Sequence, residues 1–184
     1  MDYSNTSAVL SRCGTYRYRL RREWRELGIS ENWNWDTDEP LSVLFIMLNP
    51  STADAQKDDA TIRRCVGFAR DWGYERMEVV NLFAARTRYP ADLFGLAYPI
   101  GPDNEMHVSN AISEAGLIVC AWGNHGKHMG QDQVMLQWVA NNRVSSRHEP
   151  HVLRFNANKV PAHPLYVPKA TRPVRWFPIG WQDL

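Results

Sequence analysis

The sequence has few cysteines and no long hydrophobic run. Its 184 residues include three cysteines, Cys13, Cys65 and Cys120, which stand far apart and form no CxxC pair. We therefore expect neither a cysteine-based zinc site nor a four-cysteine iron–sulfur cluster, and a reducing, cytoplasmic location. No apolar segment approaches the roughly 20 residues of a membrane helix, and the N-terminus lacks a signal-peptide pattern, so neither membrane insertion nor secretion is expected.

A strong net charge and the common enzyme motifs are also missing. The 21 lysines and arginines balance the 20 aspartates and glutamates, which excludes a chain that is basic throughout but allows a local basic patch. The sequence contains no GxSxG, P-loop, GxGxxG or HExxH motif, which argues against four enzyme classes. His125 and His128 form an HxxH pair without a nearby carboxylate or cysteine, so we interpret them as solvent-facing and predict no metal and no other cofactor.

The composition is that of one ordinary globular domain. Hydrophobic residues make up 44% of the chain and charged residues 22%, and a chain of this length can bury a core without disulfides. We expect a single, monomeric domain over residues 1–184, with residues 1–15 frayed because they are mostly polar. Most of the eight tryptophans are assigned to the core.

The hydrophobic pattern predicts strands that alternate with helices. Buried strands are predicted at 41–48, 76–83, 116–122 and 151–155, an arginine-rich strand at 16–24, an edge strand at 174–178, and helices at 61–72, 103–115 and 128–142. Residues 25–40, with Trp33 and Trp35, are predicted to form a loop. The alternation predicts an α/β fold, a three-layer α/β/α sandwich with a mainly parallel central sheet.

Polar residues follow the predicted parallel strands, at the edge where such sheets bind their ligands. Asn49 and Pro50 end one strand, Asn81 ends the next, Asn124 follows the third, and His163 lies in the loop after the fourth. These residues predict a binding site at that edge. The alternative is that each of them only terminates its strand.

The same segments, in the same order, resemble the motifs of the uracil-DNA glycosylase superfamily. The matching segments are MLNPS (47–51), VVNL (79–82), LIVCAWGNHG (117–126) and HPLY (163–166). The segments LNPSTADA, DDATIRRC, WGY, NLFA, PIGPDN and HPLY are similar to a bacterial and phage family catalogued as domain of unknown function 1643 (DUF1643). The superfamily resemblance implies a uracil-DNA glycosylase-like fold and an enzyme that flips a nucleotide out of DNA and hydrolyses its N-glycosidic bond.

The resemblance also implies roles for the matching residues. Asn49 matches the residue that positions the attacking water, His163 the donor to the departing pyrimidine, and Asn81 the amide that reads the base edge. Because an asparagine can orient the water but cannot accept its proton, we expect slower chemistry unless a nearby carboxylate helps Asn49. The candidates are Asp54, Asp58 and Asp59. The alternative for the adjacent Asp58–Asp59 pair is a favourable charge at a helix N-terminus.

Ser51 stands where the uracil-specific enzymes have a tyrosine that excludes groups on the pyrimidine C5 atom. We therefore predict a substrate with a bulky 5-substituent, such as a modified phage cytosine or uracil, in base excision or phage defence. Pro50, Phe83 and Asn124 are further predicted substrate contacts. The predicted DNA contacts are Arg63, Arg86, Arg88, Tyr166, Lys169 and Arg172. For Arg17, Arg19, Arg21, Arg22 and Arg25, phosphate contact and a solvated strand face both stay open.

Two alternatives to a DNA glycosylase follow from the departures from the superfamily motifs. A hydrolase of free nucleosides or nucleotides is favoured by the missing phosphate-gripping serine of the last motif and by the modest charge. A catalytically inactive nucleic-acid-binding module is favoured by Asn49 in place of aspartate, whereas the presence of His163 argues against it.

Overall fold

The computed structural model describes residues 2–24, 33–34, 39–40, 42–142 and 148–178. Its strands are β1 (Asn5–Leu10), β2 (Arg17–Glu23), β3 (Trp33–Asn34), β4 (Glu39–Pro40), β5 (Ser42–Met47), β6 (Arg76–Asn81), β7 (Leu117–Cys120), β8 (Pro150–Val152) and β9 (Val174–Arg175). Its helices are α1 (Ala60–Asp71), α2 (Pro90–Phe94), α3 (Asn104–Ser113) and α4 (Gln131–Asn141). The protein is thus a mixed α/β domain.

Seven strands form one mixed sheet in the order β1-β2-β6-β5-β7-β8-β9, and β3 and β4 pair separately. The four strands β6, β5, β7 and β8 are parallel, while β1, β2 and β9 are antiparallel additions at the two sides. Every residue of β5 and β7 is buried, as expected for central strands covered on both faces. The parallel strands therefore end at one edge of the sheet, where polar side chains can meet.

Helices cover both faces of this sheet. Leu44 and Ile46 of β5 pack in a core with residues of α3 and α4, whereas Val43 and Phe45 pack in a second core with α1. Successive side chains of a strand point to opposite faces, so β5 contributes to both cores. The predicted layering of helices on both faces of a mainly parallel sheet is observed. Within the described residues no helix has the length and apolar character needed to cross a membrane.

Helix α1 follows its prediction from the sequence closely. Asp59 is the N-cap and accepts a hydrogen bond from the backbone N–H of Ile62 at 2.9 Å. Ile62, Cys65, Val66 and Ala69 form the buried face that the spacing predicts. The cap fixes the start of α1 at the sheet edge where the parallel strands end.

Three segments differ from the sequence-based expectations. Residues 1–15 are not all frayed, because Asn5–Leu10 pair with β2 as an edge strand despite their exposed side chains. The predicted loop between β6 and α3 contains the short helix α2, which has Pro90 at its start. Trp33 lies in β3 rather than in a loop. Trp35 and Arg25 lie outside the described residues.

The arginine-rich strand β2 uses three of its arginines in ion pairs. Arg21 contacts Glu23 within the strand at 3.5 Å. Arg19 contacts Glu78 of β6 and also Glu114, and Arg22 donates from Nε to Asp58 at 2.8 Å. The Arg22 side chain is almost completely buried. For Arg19 and Arg22, neither a solvated face nor a phosphate-binding surface is therefore correct.

Two glycines give a test of the packing between the sheet and its connections. Gly101 has φ +87°, and a Cβ there would lie 2.9 Å from the Tyr16 ring and 3.2 Å from Ala84 Cβ. Gly101→Ala should therefore lower the free energy of unfolding by about 1–3 kcal/mol. Urea denaturation measures this change.

The matched control is Gly67, inside α1, where an added Cβ would have no neighbour within 4 Å. Gly67→Ala should raise the free energy of unfolding by about 0.5–1 kcal/mol, because alanine is the better helix former. Equal effects of the two substitutions would contradict the packing described for Gly101.

Candidate functional site

A pocket of about 650 Å³ opens where the parallel strands end. Its volume lies in the range of about 300–1,000 Å³ that is typical of small-molecule sites. The pocket brings together the predicted site residues Asn49, Ser51, Asp59, Asn81, Arg88, Asn124, His163 and Tyr166. They come from the ends of β5 and β6, from the start of α1 and from the loops that follow β6, β7 and β8. The polar strand ends thus share one cavity.

Asn49, directly after β5, is held by its amide nitrogen. Nδ2 donates to the carbonyl oxygens of Pro50 and Thr87, at 3.1 and 3.3 Å, and to Thr87 Oγ1 at 2.9 Å. Two carbonyl acceptors require the NH2 group on this side, which fixes the orientation of the carboxamide. The amide oxygen Oδ1 has no hydrogen bond within the described part of the chain and remains as an acceptor for a ligand or a water molecule.

Asn81, the last residue of β6, lines the pocket with its carboxamide. The residue is 1% exposed, and both Nδ2 and Oδ1 are buried without a hydrogen bond among the described residues. Asn104 Nδ2 donates to Asn81 O at 3.0 Å and thereby holds the backbone at this strand end. Because an unpaired buried amide costs free energy, a partner from a ligand is expected here.

His163 is held as a hydrogen-bond donor by its own turn. Nδ1 accepts from the backbone N–H of Leu165 at 3.3 Å, so the neutral ring carries its proton on Nε2. Burial lowers the pKa of the imidazole below its ordinary value, although the Asp59 carboxylate raises it. Gly123, in the loop after β7, has φ +75°, a backbone conformation that favours glycine. It lies beside His163, since a Cβ there would lie 3.4 Å from His163 Cβ, at van der Waals contact.

Asp59 is the one of the three candidate carboxylates that lines the pocket. Its Oδ1 caps α1, while its charge influences the pKa of both His163 and Arg17. Farther along α1, Arg64 donates to Val167 O, directly after the 3-10 turn Pro164–Tyr166. Helix α1 therefore connects the carboxylate to the turn that His163 begins.

Asp54 and Asp58 are used elsewhere. Asp54 Oδ1 accepts from the N–H groups of Gln56 and Lys57, each at 2.9 Å, and these bonds lower the pKa of the carboxyl. Asp58 accepts from Arg22 and from the Tyr3 hydroxyl. Neither lines the pocket, so their predicted catalytic assistance has no geometric support.

Several predicted contacts also lie away from the pocket. Phe83 is fully buried in the core that contains α3 and α4, two residues beyond Asn81. Pro50 accepts from the Thr87 N–H and thereby supports the loop. Arg63 donates to Asp58 O, and Arg86 donates to Gly14 O. Lys169 and Arg172 are exposed and do not line the pocket.

Three polar or aromatic side chains lie at the exposed part of the pocket. Tyr166 is 74% exposed, with its ring centroid 5.7 Å from that of His163. Arg88 is exposed beside the ring of Tyr89. Asn124 accepts from Asn156 Nδ2 at 2.6 Å. The pocket therefore combines buried groups, such as the Asn81 amide and the Arg17 guanidinium, with an exposed cation and an exposed aromatic ring.

Sequence reasoning gave several polar and aromatic pocket residues no site role, or only an open one. They include Arg17, Thr61, Thr87, Trp122, His125 and Asn156. Trp122 was part of a matching motif, and His125 is solvent-exposed as predicted but also lines the pocket. Arg17 belongs to the arginine-rich strand, yet its place depends on how β2 pairs with β6, which the periodicity of β2 does not indicate.

The described residues contain no group of three or more histidine, cysteine, aspartate or glutamate side chains placed to hold a metal ion. The pocket is lined by amide, imidazole, carboxylate and guanidinium groups. The absence of a cofactor stays a prediction from the sequence.

The fold and the pocket define an α/β protein with a polar site at the ends of its parallel strands. The chain belongs to the family described as "Protein of unknown function (DUF1643)", whose model matches residues 17–165. No curated protein matches the chain, and no solved structure matches it. The matched range includes the ends of the parallel strands and His163.

The electrostatics of His163 can be tested by NMR. Because burial opposes its charged form, the ring should titrate with a midpoint below the ordinary value of 6.5 and carry its proton on Nε2 when neutral. The contribution of this group to stability is then present above about pH 6.5 and lost as the pH falls, since the unfolded chain binds the proton more readily.

The measurement is a pH titration of the imidazole nitrogens, with His163→Gln used to assign the signal. A midpoint above 6.5 would contradict the effect of burial on His163. A neutral ring protonated on Nδ1 would contradict the hydrogen bond from Leu165.

Proposed function

We propose that this protein is a monofunctional DNA glycosylase with a uracil-DNA glycosylase-like fold, which hydrolyses the N-glycosidic bond of a flipped pyrimidine. The observation that carries the proposal is the buried carboxamide of Asn81, which has no hydrogen-bond partner in the described part of the chain and shares a pocket with Asn49 and His163. A carboxamide offers one donor and one acceptor side, which is what the polar edge of a pyrimidine requires.

The departing base is stabilised by Asn81 and His163 in this proposal. As the bond between C1′ and the base nitrogen breaks, its electron pair moves onto the base and negative charge grows on the base oxygens. The Nε2–H of the neutral His163 imidazole donates a hydrogen bond to such an oxygen. A donor held in place before the reaction stabilises this charge better than reorganising water does.

The attacking water is oriented by Asn49 and loses its proton to a carboxylate. The free Oδ1 of Asn49 accepts a hydrogen bond from the water, whose oxygen then bonds to C1′. Asp59 is the pocket carboxylate available to take the proton, while the released base anion gains one from solvent. The products are the free base and an abasic site, so one water is consumed and no cofactor is required.

Contacts to DNA are proposed at the mouth of the pocket. Arg88 is a candidate phosphate contact, and Tyr166 can fill the space that the flipped base leaves in the duplex. The exposed side chains of Arg63, Lys169 and Arg172, which lie outside the pocket, are further candidates. Because the net charge is only +1, affinity for DNA would come from these exposed cations rather than from the charge of the whole chain.

A second candidate, a hydrolase of free nucleotides, is favoured by one observation. The buried guanidinium of Arg17 lines the pocket itself, where it can bind a phosphate that is not part of a duplex. Duplex affinity with strong salt dependence distinguishes the DNA glycosylase from this alternative.

The first test is abasic-site formation. The protein is incubated with DNAs that contain uracil, a thymine mismatch, or hydroxymethylated or glucosylated cytosine, and each DNA is then cleaved with hot alkali. We expect cleavage of one substrate, reduced about 10²–10³-fold in His163→Gln and in Asn49→Ala. Duplex binding without cleavage of any substrate would favour the inactive binding module instead.

Two carboxylates supply a matched control. Asp59→Asn keeps an oxygen that caps α1 but removes the proton acceptor, so the rate should fall about 10²-fold or more. Asp54→Asn keeps the acceptor for Gln56 and Lys57 outside the pocket, and the rate should stay within about twofold. Equal losses in the two variants would remove Asp59 from the mechanism.

The size of the base substituent is tested at Ser51, which lines the pocket. Ser51→Tyr should reduce cleavage of a base with a bulky 5-substituent while sparing a base with hydrogen at C5, because the ring occupies the space beside C5. Cleavage rates on paired oligonucleotides measure the ratio. Full activity of the variant on the bulky base would contradict the proposed role of Ser51.

A further inference from the structure

We propose that Arg17 makes this pocket selective for a substrate that carries an anionic oxygen group, a carboxylate or a phosphate, beside the base. The inference rests on the proposed function in taking this pocket as the one that holds the base. It adds a charged recognition group to a site that otherwise reads its ligand through amides and an imidazole.

Arg17 differs from the other arginines of its strand. Arg19, Arg21 and Arg22 each pair with a carboxylate. Arg17 has no ion pair among the described residues, although its side chain is 2% exposed and lines the pocket. The unpaired arginine of β2 is therefore the one at the cavity.

The hydrogen bonds of Arg17 leave most of its donors unused. Nη1 donates to Ala53 O at 2.8 Å, and Nε is buried with no partner among the described residues. A guanidinium has five N–H donors in a planar fork that matches a carboxylate or a phosphate. The bond to Ala53 fixes the orientation of the fork without using its capacity for an anion.

The neighbouring charges do not replace a counter-ion. Burial lowers the pKa of Arg17 to about 10, Asp59 and Asp54 raise it, and Arg86 and Arg22 lower it further, so the group stays protonated at neutral pH. Asp59 and Asp54 each use Oδ1 to accept backbone N–H groups. A buried cation without a partner is costly, and an anionic ligand would remove this cost.

The position of Arg17 relates the anionic group to the rest of the site. Its backbone N–H donates to Ala84 O, three residues beyond Asn81, and its side chain contacts the loop that follows Ser51. The anion would therefore bind in the same pocket as the base-reading amide of Asn81 and near the segment that follows Ser51. A carboxylate on C5 and the phosphate of a nucleotide are the two sources of this chemistry.

The test is a comparison of binding to charged and neutral ligand pairs by calorimetry. One arm uses deoxyuridine monophosphate against deoxyuridine. The other uses single-stranded oligonucleotides with 5-carboxycytosine against 5-hydroxymethylcytosine. We expect the wild type to bind the charged member of one pair about tenfold or more tightly than the neutral member. The arm that shows the preference identifies the source of the anion.

Variants assign that preference to Arg17. Arg17→Gln should abolish it, Arg17→Lys should retain part of it, and Arg21→Gln, on the same strand but paired with Glu23, should retain all of it. Thermal unfolding of each variant verifies folding, and anionic ligand should raise the melting temperature of the wild type more than that of Arg17→Gln.

The proposal is overturned if the wild type shows no charge preference in either arm, binds none of the four ligands, or keeps its preference in Arg17→Gln. If Arg17→Gln does not fold, a preference in Arg17→Lys equal to that of the wild type also overturns it. Abasic-site formation is measured in parallel. A charge preference without abasic-site formation would contradict the glycosylase and support the anion site. Abasic-site formation without a charge preference would support the glycosylase and contradict the anion site.

Discussion

The complete burial of strand β5 is the constraint on which the rest of the structure depends. Each of its six residues is buried, and its side chains alternate between the two cores. Such a strand requires helices on both faces of the sheet, so polar residues that face a ligand are confined to the ends of the strands. Asn49 follows β5 directly, and the pocket forms around that point.

Hydrogen bonds to backbone atoms hold much of the site in place. Thr87, from the loop after β6, binds Asn49 with its side chain and its carbonyl oxygen, and its N–H donates to Pro50 O. Asn104, from the start of α3, holds the end of β6 behind Asn81. These contacts order the carboxamide of Asn49 and the backbone that carries Asn81 before any ligand binds. Such order is the condition for stabilising charge that develops during a reaction.

The sequence predicted the parts of the site that depend on local pattern. Short apolar runs located the parallel strands, and the polar residues after them, such as Asn49 and Asn81, converge as the topology requires. Phe83 was assigned to the pocket wrongly because one or two positions beyond a strand end decide whether a side chain faces the cavity or the core. The sequence did not distinguish Asp54 and Asp58 from Asp59. Asp54 is used by an irregular turn, and the arginine that pairs with Asp58 lies 36 residues away along the chain. Arg17 depended on the antiparallel register of β2 against β6, which is a tertiary property.

Helix α1 has a mechanical consequence. Asp59 caps the helix, and Arg64 donates to the carbonyl oxygen of Val167 at the end of the turn that His163 begins. Helix α1 and the hydrogen bond from Arg64 to Val167 O thus link the Asp59 carboxylate to the turn that carries the His163 imidazole. We expect a displacement of one group to move the other. Inserting or deleting one residue in the first turn of α1 would rotate Arg64 by about 100° around the helix axis relative to Asp59. The link therefore requires the spacing between these two residues to stay unchanged.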